Sequence, residues 1–295
     1  MMSFVRRKIN LTFKLGKDTN GTQYSFDGKY DTVTVTGLRV QATVANAGPP
    51  SMGQASVIVH GLTPSLLNQL SSVNRLDNGQ VAIRFNQLVI EAGDDQVGMS
   101  IIFQGQTSLS QIDMSGMPDS TLHVTAHAGL FEALKVAPAL SFPGSADAAV
   151  IMQNFATENG YAFENNGVSV ILSTPYFPGS PKRQMEACAN AANINWSLDN
   201  GTLAIWPKGG SRGGSIPLIS PGSGMIGYPT NCDLGVYVRT LFNPQLGIGK
   251  TCQVQSSLPF ANGKFVMYEV FHDLESETPN GQWETTFKGS PFNAS

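Results

Sequence analysis

The stretch Val5-Arg6-Arg7-Lys8-Ile9-Asn10-Leu11-Thr12-Phe13-Lys14-Leu15 places apolar side chains at Val5, Ile9, Leu11, Phe13 and Leu15, with mostly polar residues between them. Period-two alternation marks a strand with one buried face. The same reading extends outward through the first 130 or so residues. Val33–Val44 alternates too, but its apolar phase flips at Gly37, and a glycine at a flip predicts a bulge. Ala55–Val59, Gln80–Phe85, Gln87–Glu91, Ser100–Ser108 and Thr121–Thr125 read as further strands. One short helix interrupts them, with Thr63 as cap, Pro64 at its first position, and Leu66, Leu67 and Leu70 facing inward. Strands at this spacing suggest a small barrel or sandwich.

Beyond Pro138–Ser145 the pattern changes. Ser145 predicts the cap of a helix from Ala146 to about Asn159, with Val150, Ile151, Phe155 and Ala156 as its apolar stripe and Gly160 after its end. Val168–Leu172 reads as a buried strand, and Pro181 to about Asn193 as a second helix. Ile194, Trp196 and Leu198 share a strand face, Asp199-Asn200-Gly201 makes a hairpin turn, and Leu203–Trp206 returns. Lys208 to Pro229 is rich in Gly, Ser and Pro, yet Ile216, Leu218, Ile219, Met225 and Ile226 recur in it, so an ordered irregular segment is expected. Strands resume at Gly235–Leu241, Thr251–Ser256, Phe265–Phe271 and Gln282–Phe287, the last with Trp283, Thr285 and Phe287 on one face.

The 295 residues are enough for two or three compact domains. A formal net charge of −3 argues against a grip on nucleic acid or an anionic membrane, which needs a basic field. Charged residues make up only 13%, about half the usual share, which suits a β-rich surface packed against partners. Cys188, Cys232 and Cys252 are too few for a disulfide framework and point to synthesis in a reducing compartment. Arg6, Arg7 and Lys8 are followed by no apolar run, so no secretory signal is read. No stretch reaches the ~18 apolar residues of a membrane span. A soluble protein made in the cytoplasm, with no membrane anchor, is expected.

Catalytic chemistry finds little purchase. His123 and His127 have a spacing that suits zinc on a helix, but they fall on a strand, where four residues spread them about 13 Å. Asp94-Asp95 sits in a turn where such residues are favoured for backbone reasons. Glu269 lies in an apolar strand beside His272 and Asp273, where a perturbed acid or a pairing with an amide or a neighbouring subunit are both open. The cysteines read as small core residues. Ser115-Gly116 and Ser211-Arg212-Gly213-Gly214 read as turn chemistry and not as a nucleophile elbow, and Gly209–Gly214 lacks the ending of a phosphate loop. The sequence therefore offers no catalytic, cofactor-binding or metal-binding residues and implies no cofactor.

Later segments carry a resemblance. Ser220-Pro221-Gly222-Ser223-Gly224-Met225-Ile226-Gly227-Tyr228-Pro229 resembles the "tGlxGxP" stretch of bacteriophage tail hub proteins. Gly235-Val236-Tyr237-Val238, Leu241-Phe242-Asn243-Pro244-Gln245-Leu246 and Ile248-Gly249-Lys250 follow in that family's order. Asn262–His272 is similar to its "nG.y.v..v.H" strand, Gly281-Gln282-Trp283-Glu284-Thr285 to its closing "g.W.T", and Ile102-Phe103-Gln104-Gly105 to the "iF.G" close of its first barrel. The Trp196–Pro207 hairpin also fits.

The resemblance implies a mainly β (α+β) baseplate hub of a contractile-tailed phage. Residues 1–137 would form a first tail-tube-like β-barrel, 138–210 a helix-containing α/β insertion, and 211–295 a second tube-like barrel. It further implies a non-enzymatic homotrimer that joins the six-fold tail tube protein to a three-fold central spike protein among other baseplate proteins. DNA would pass only transiently through the lumen, and the protein would reside in the virion tail after assembly in the host cytoplasm. Two other classes stay open on the residues alone: a β-rich glycan-degrading enzyme using Glu269 or Asp94/Asp95, and a host-glycan-binding module, which lacks an exposed aromatic platform because Trp196, Trp206 and Trp283 all read as core.

Overall fold

The computed structural model describes residues 5–17, 23–71, 86–116 and 118–292. The strand expected at Gln80–Phe85 lies outside them. The protein is mainly β, with four α-helices among the described residues. It divides into two compact units, one made of Met1–Val44, Gln54–Ala128 and His272–Trp283, the other of Ala45–Gly53, Gly129–Phe271 and Glu284–Ser295.

In the first unit, six strands pair antiparallel in the order Gln54–His60, Thr121–His127, Gly98–Asp113, Gln87–Asp94, Arg7–Lys14, Thr32–Val35. The opening alternation is visible in the burial of Ile9, Leu11 and Phe13, with Leu11 opposite Ile90 and Phe13 opposite Leu88. The register is fixed because a one-residue slip would turn this set out to solvent. Gly105 explains itself here: a Cβ on it would lie 2.6 Å from the His127 carbonyl oxygen and 2.7 Å from the Phe103 ring, so the strands meet only over a glycine. Helix Pro64–Leu70 forms as read. The Thr63 hydroxyl accepts from the Leu66 N–H, and Leu67 and Leu70 are buried. Gly37 makes no bulge. It takes φ +69° in a bend that ends strand Thr32–Val35, and a separate strand starts at Val40. A left-handed residue turns the chain more sharply than a bulge does, so the apolar phase restarts in a new strand.

In the second unit, helices Ala148–Glu158 and Pro181–Ala191 pack on a three-stranded sheet ordered Ala162–Asn165, Thr202–Pro207, Ile194–Asp199. Asn200 and Gly201 both have positive φ, as a tight right-twisted hairpin demands. Ile151, Met152, Phe155, Met185, Cys188 and Trp196 form its core. The first helix starts later than expected, because Ser145–Asp147 is a strand and the Asp147 carboxylate is the cap, accepting from the Ala149 N–H at 2.9 Å. That shift re-phases the stripe onto Ile151, Met152, Phe155 and Ala156 and leaves Val150 52% exposed. Val168–Leu172 is not a buried strand. Val168 is buried, but Asn165 holds its N–H and C=O in a turn, and only Ile171–Ser173 pairs, with Ile171 64% exposed.

A second core in this unit gathers Trp206, Ile219, Val236, Val238, Leu246, Ile248, Val254, Phe265 and Phe287. Strand Gly235–Leu241 lies between Thr230–Cys232 and Trp283–Pro291, and Leu218–Ile219 runs parallel to Thr251–Val254. The Gly/Ser/Pro-rich segment is ordered through main-chain bonds. The Gly224 carbonyl, in a φ +103° turn, accepts from the Leu241 N–H and the Thr240 hydroxyl. Along Gly263–Ser276 burial falls on Phe265 and Met267, then on Val270, His272 and Leu274. Tyr268 and Glu269 therefore sit where the strand's buried face changes phase.

Candidate functional site

The chemistry-bearing residues fall into structural roles. Asp94 accepts from the Gln96 and Val97 N–H groups at 2.8 Å and shapes its turn, while Asp95 pairs with Lys8. Both border a cavity of about 390 Å³ that also receives Glu277, itself paired with Arg6. Every carboxylate there has a partner. Glu269 is half-buried and paired with Lys288 Nζ at 2.8 Å, so its partner comes from its own chain. His272 is fully buried, and burial pushes its imidazole down to about 4. Burial pushes the Cys188 and Cys252 thiols up to about 12, so as core residues they are poor nucleophiles. Cys232 departs from the core reading, half-buried with its Sγ 3.3 Å from the Tyr268 hydroxyl. Trp196, Trp206 and Trp283 are buried and make no exposed platform. Among the described residues no cluster of His, Cys, Asp and Glu could hold a metal ion. No helix among them is long and apolar enough to cross a membrane.

Arg212 is the residue that the sequence reading passed over as turn chemistry. Its side chain is buried, with Nη2 2.7 Å from Glu164 Oε2 and Nη1 3.0 Å from Asp199 Oδ1. Nη1 also donates to Ser197 Oγ and to the Ile248 carbonyl, and the Arg212 backbone N–H donates to Gly249 O at 2.7 Å. The guanidinium ties strand Ala162–Asn165 and the Ile194–Pro207 hairpin to the Ile248-Gly249-Lys250 turn. Beside Arg212 the Glu164 carboxyl is held below its ordinary range, chiefly by the hydrogen bond it accepts. Gly249 is needed at this point. It has φ +75°, and a Cβ there would lie 2.5 Å from the Trp206 ring.

The surfaces left open are more informative than any cleft. In the first unit the register carries one row across the six strands through Gln54, His127, Gln106, Gln87, Lys14 and Thr32. Thr34, Thr12 and Gln104 lie in another row, with Thr12 and Thr34 hydroxyls 2.9 Å apart. This non-core face is mostly amides, hydroxyls and imidazoles, interspersed with apolar Ile58, Val89 and Ile101 and with charged Lys8, Lys14 and Glu91, of which Lys8 pairs with Asp95 and Lys14 with Asp31. In the second unit the exposed face of Gly235–Leu241 and Trp283–Pro291 carries ion pairs between strands, with Arg239 to Glu284 at 2.7 Å and Lys288 to Glu269 at 2.8 Å. Among the described residues, Thr32–Val35 and Thr230–Cys232 each pair with one strand. Exposed apolar residues flank them: Tyr30 beside the first, and Tyr228 and Leu234 beside the second. An edge with a free row of N–H and C=O groups is a template for another chain.

Comparison with known families matches residues 10–284 to the family described as baseplate hub gp41. The chain belongs to that baseplate hub family. The hub has a structural role in the phage baseplate and is not an enzyme. No curated protein sequence gives a significant match. Among solved structures, the hub resembles a tail protein from Neisseria meningitidis MC58, with a TM-score of 0.62 and 9% identity over 96% of each chain. It also resembles the 43 kDa tail protein of prophage MuSo2 from Shewanella oneidensis, with a TM-score of 0.56 and 8% identity over 96% of this chain and 98% of that one. A third likeness is to the E. coli c3393 protein, a type VI secretion component described as similar to T4 tail proteins gp27 and gp5. There the TM-score is 0.57 and the identity 8%, over 87% of this chain and 74% of that one. At such identities the likeness speaks for the fold.

Proposed function

We propose that this hub works as a homotrimer that joins the six-fold tail tube to the three-fold central spike. In this reading each subunit contributes two tube-like barrels, residues 1–137 and 211–295, with 138–210 as a helical insertion outside the ring or bridging neighbours. A six-fold tube offers six equivalent docking positions, so three subunits must each present two near-equivalent surfaces. The observation that carries the reading is the open face of the first unit, where amides, hydroxyls and imidazoles outnumber charges and Lys8 and Lys14 are each paired with an aspartate. Phosphates bind where cations cluster, so such a wall lets DNA pass through a lumen without holding it. Strand edges flanked by exposed Tyr30, Tyr228 and Leu234 supply places where subunits join. The partners are then the tail tube protein, the central spike protein and other baseplate proteins, met in the virion tail after assembly in the host cytoplasm.

The test is the mass of the purified full chain in solution, alone and mixed with tail tube protein. A trimer, or a trimer formed on the tube protein, is expected. A strict monomer under both conditions overturns the reading.

A further inference from the structure

Three of the four histidines share the open face of the first unit. On the paired strands Gln54–His60 and Thr121–His127, His60 stands opposite Thr121 and His123 opposite Ile58, which makes the two imidazoles diagonal neighbours. His123 Nε2 lies 3.1 Å from the Thr121 hydroxyl. His127 continues the stripe, opposite Gln54 and Gln106, and its Nδ1 is buried without a partner. The charged groups acting on the stripe are few. Arg39 and Asp119 act on His60, and Asp113, whose carboxyl the Ser115 N–H keeps low, lies diagonal to His123. Strand Gly98–Asp113 otherwise presents Gln106, Leu109 and Gln111 to it, and strand Gln54–His60 presents Gln54, Ser56 and Ile58.

We propose that this stripe is a proton-gated site for the phosphates of duplex DNA, net negative at neutral pH and cationic in acid. Two carboxylates against one guanidinium leave the patch with one excess negative charge when the imidazoles are neutral. Three imidazolium groups turn that into two excess positive charges. Phosphate affinity follows the number of cations a face presents, and imidazole is the side chain that changes charge in this range. Burial, aided at His60 by Arg39, holds His60 and His127 below the ordinary imidazole range, so these two imidazoles take up their protons on the acid side of pH 7. The choice of DNA as ligand rests on the lumen reading above; the change of sign does not.

The test is fluorescence anisotropy of a short labelled duplex DNA with the full chain at about pH 7.5 and about pH 5, across a salt series. Binding at least about tenfold tighter in acid is expected, with a salt dependence steeper by about two released counterions. The H60Q/H123Q/H127Q variant keeps every carboxylate that titrates elsewhere and should lose the gain. Should it fail to fold, His123→Lys supplies a fixed charge and should bind DNA more tightly than wild type at neutral pH. No acid gain in the wild type, an acid gain retained by the triple variant, or a His123→Lys variant no tighter at neutral pH overturns the proposal. A monomer that binds DNA in acid sinks the trimer reading alone. A trimer that never binds sinks this one alone.

Discussion

The first unit sets three histidines on its open sheet face and keeps the pairs Lys8 to Asp95 and Lys14 to Asp31 in solvent, whereas the second unit buries a guanidinium between two carboxylates. The two solutions respond to different variables. A face that carries histidines changes its charge when they titrate. A face of paired charges is insensitive to pH near neutrality but is screened by salt.

The largest effect that separates the units should come from Arg212. Replacing it with Met leaves Glu164 and Asp199 facing each other without their cation and frees Ser197 and the Ile248 carbonyl. Breaking a buried pair by removing one partner costs about 3–5 kcal/mol. The low end of that range is expected here, since Glu164 is a third exposed. Urea unfolding followed by tryptophan fluorescence, with Trp196 and Trp206 both in this unit, reads it directly. A loss below about 1 kcal/mol would mean that the hairpin and the Gly249 turn hold together without the guanidinium. Arg212→Lys should recover only part of the loss, because an ammonium cannot fork onto two carboxylates.

Acid should act on the first unit before the second. The His272 imidazole, in the first unit, is lowered by burial from 6.5 to about 4. The unfolded chain therefore binds its proton first. Its contribution to stability is complete above pH 6.5 and is lost as the pH falls from there toward 4, up to about 3 kcal/mol. Glu164, in the second unit, is a lowered carboxyl, so its contribution is present above its ordinary value of 4.5 and is lost only below that. Unfolding curves at a series of pH values should show wild type losing stability between about pH 6.5 and 4.5, and His272→Phe losing less over the same window. An identical slope in both chains would remove His272 as the cause.

Much of this was legible in the sequence because the strands announce themselves by period. Ile9, Leu11 and Phe13 in the first strand and Trp283, Thr285 and Phe287 in the last lie on the buried faces that their spacing predicts. The Pro64–Leu70 helix and the Asn200-Gly201 turn follow from local backbone chemistry alone. What escaped was non-local. Asp147 displaced Ser145 as cap because Ser145–Asp147 is drawn into pairing with Ile171–Ser173, a contact that no local window contains. Arg212 looked like turn filler because its carboxylates lie 48 and 13 residues away. The histidine stripe was set aside because His123 and His127 alone are too far apart for a metal, and the missing member, His60, enters only through strand register. A signal was available in each case, an unpaired Arg among glycines and three histidines at strand positions of matching parity, but only the pairing makes it readable.

The smallest predicted effect tests whether the ion-paired face is a stability device at all. Lys288 and Glu269 sit 2.8 Å apart but partly in solvent, where such pairs contribute about 0.2–1 kcal/mol. A double-mutant cycle over Lys288→Met and Glu269→Gln should give a coupling in that range that shrinks as salt rises. A parallel cycle over Thr12→Val and Thr34→Val in the first unit, whose hydroxyls are 2.9 Å apart, should give a coupling of similar size that salt leaves unchanged, because neither partner carries charge. If both couplings fade together with salt, the two faces do not differ in kind. If only the Lys288–Glu269 term fades, the charged face adds little to folding at physiological ionic strength. Its pairs then serve to choose what the second unit meets, since rim charges govern association rate and partner choice more than they govern affinity.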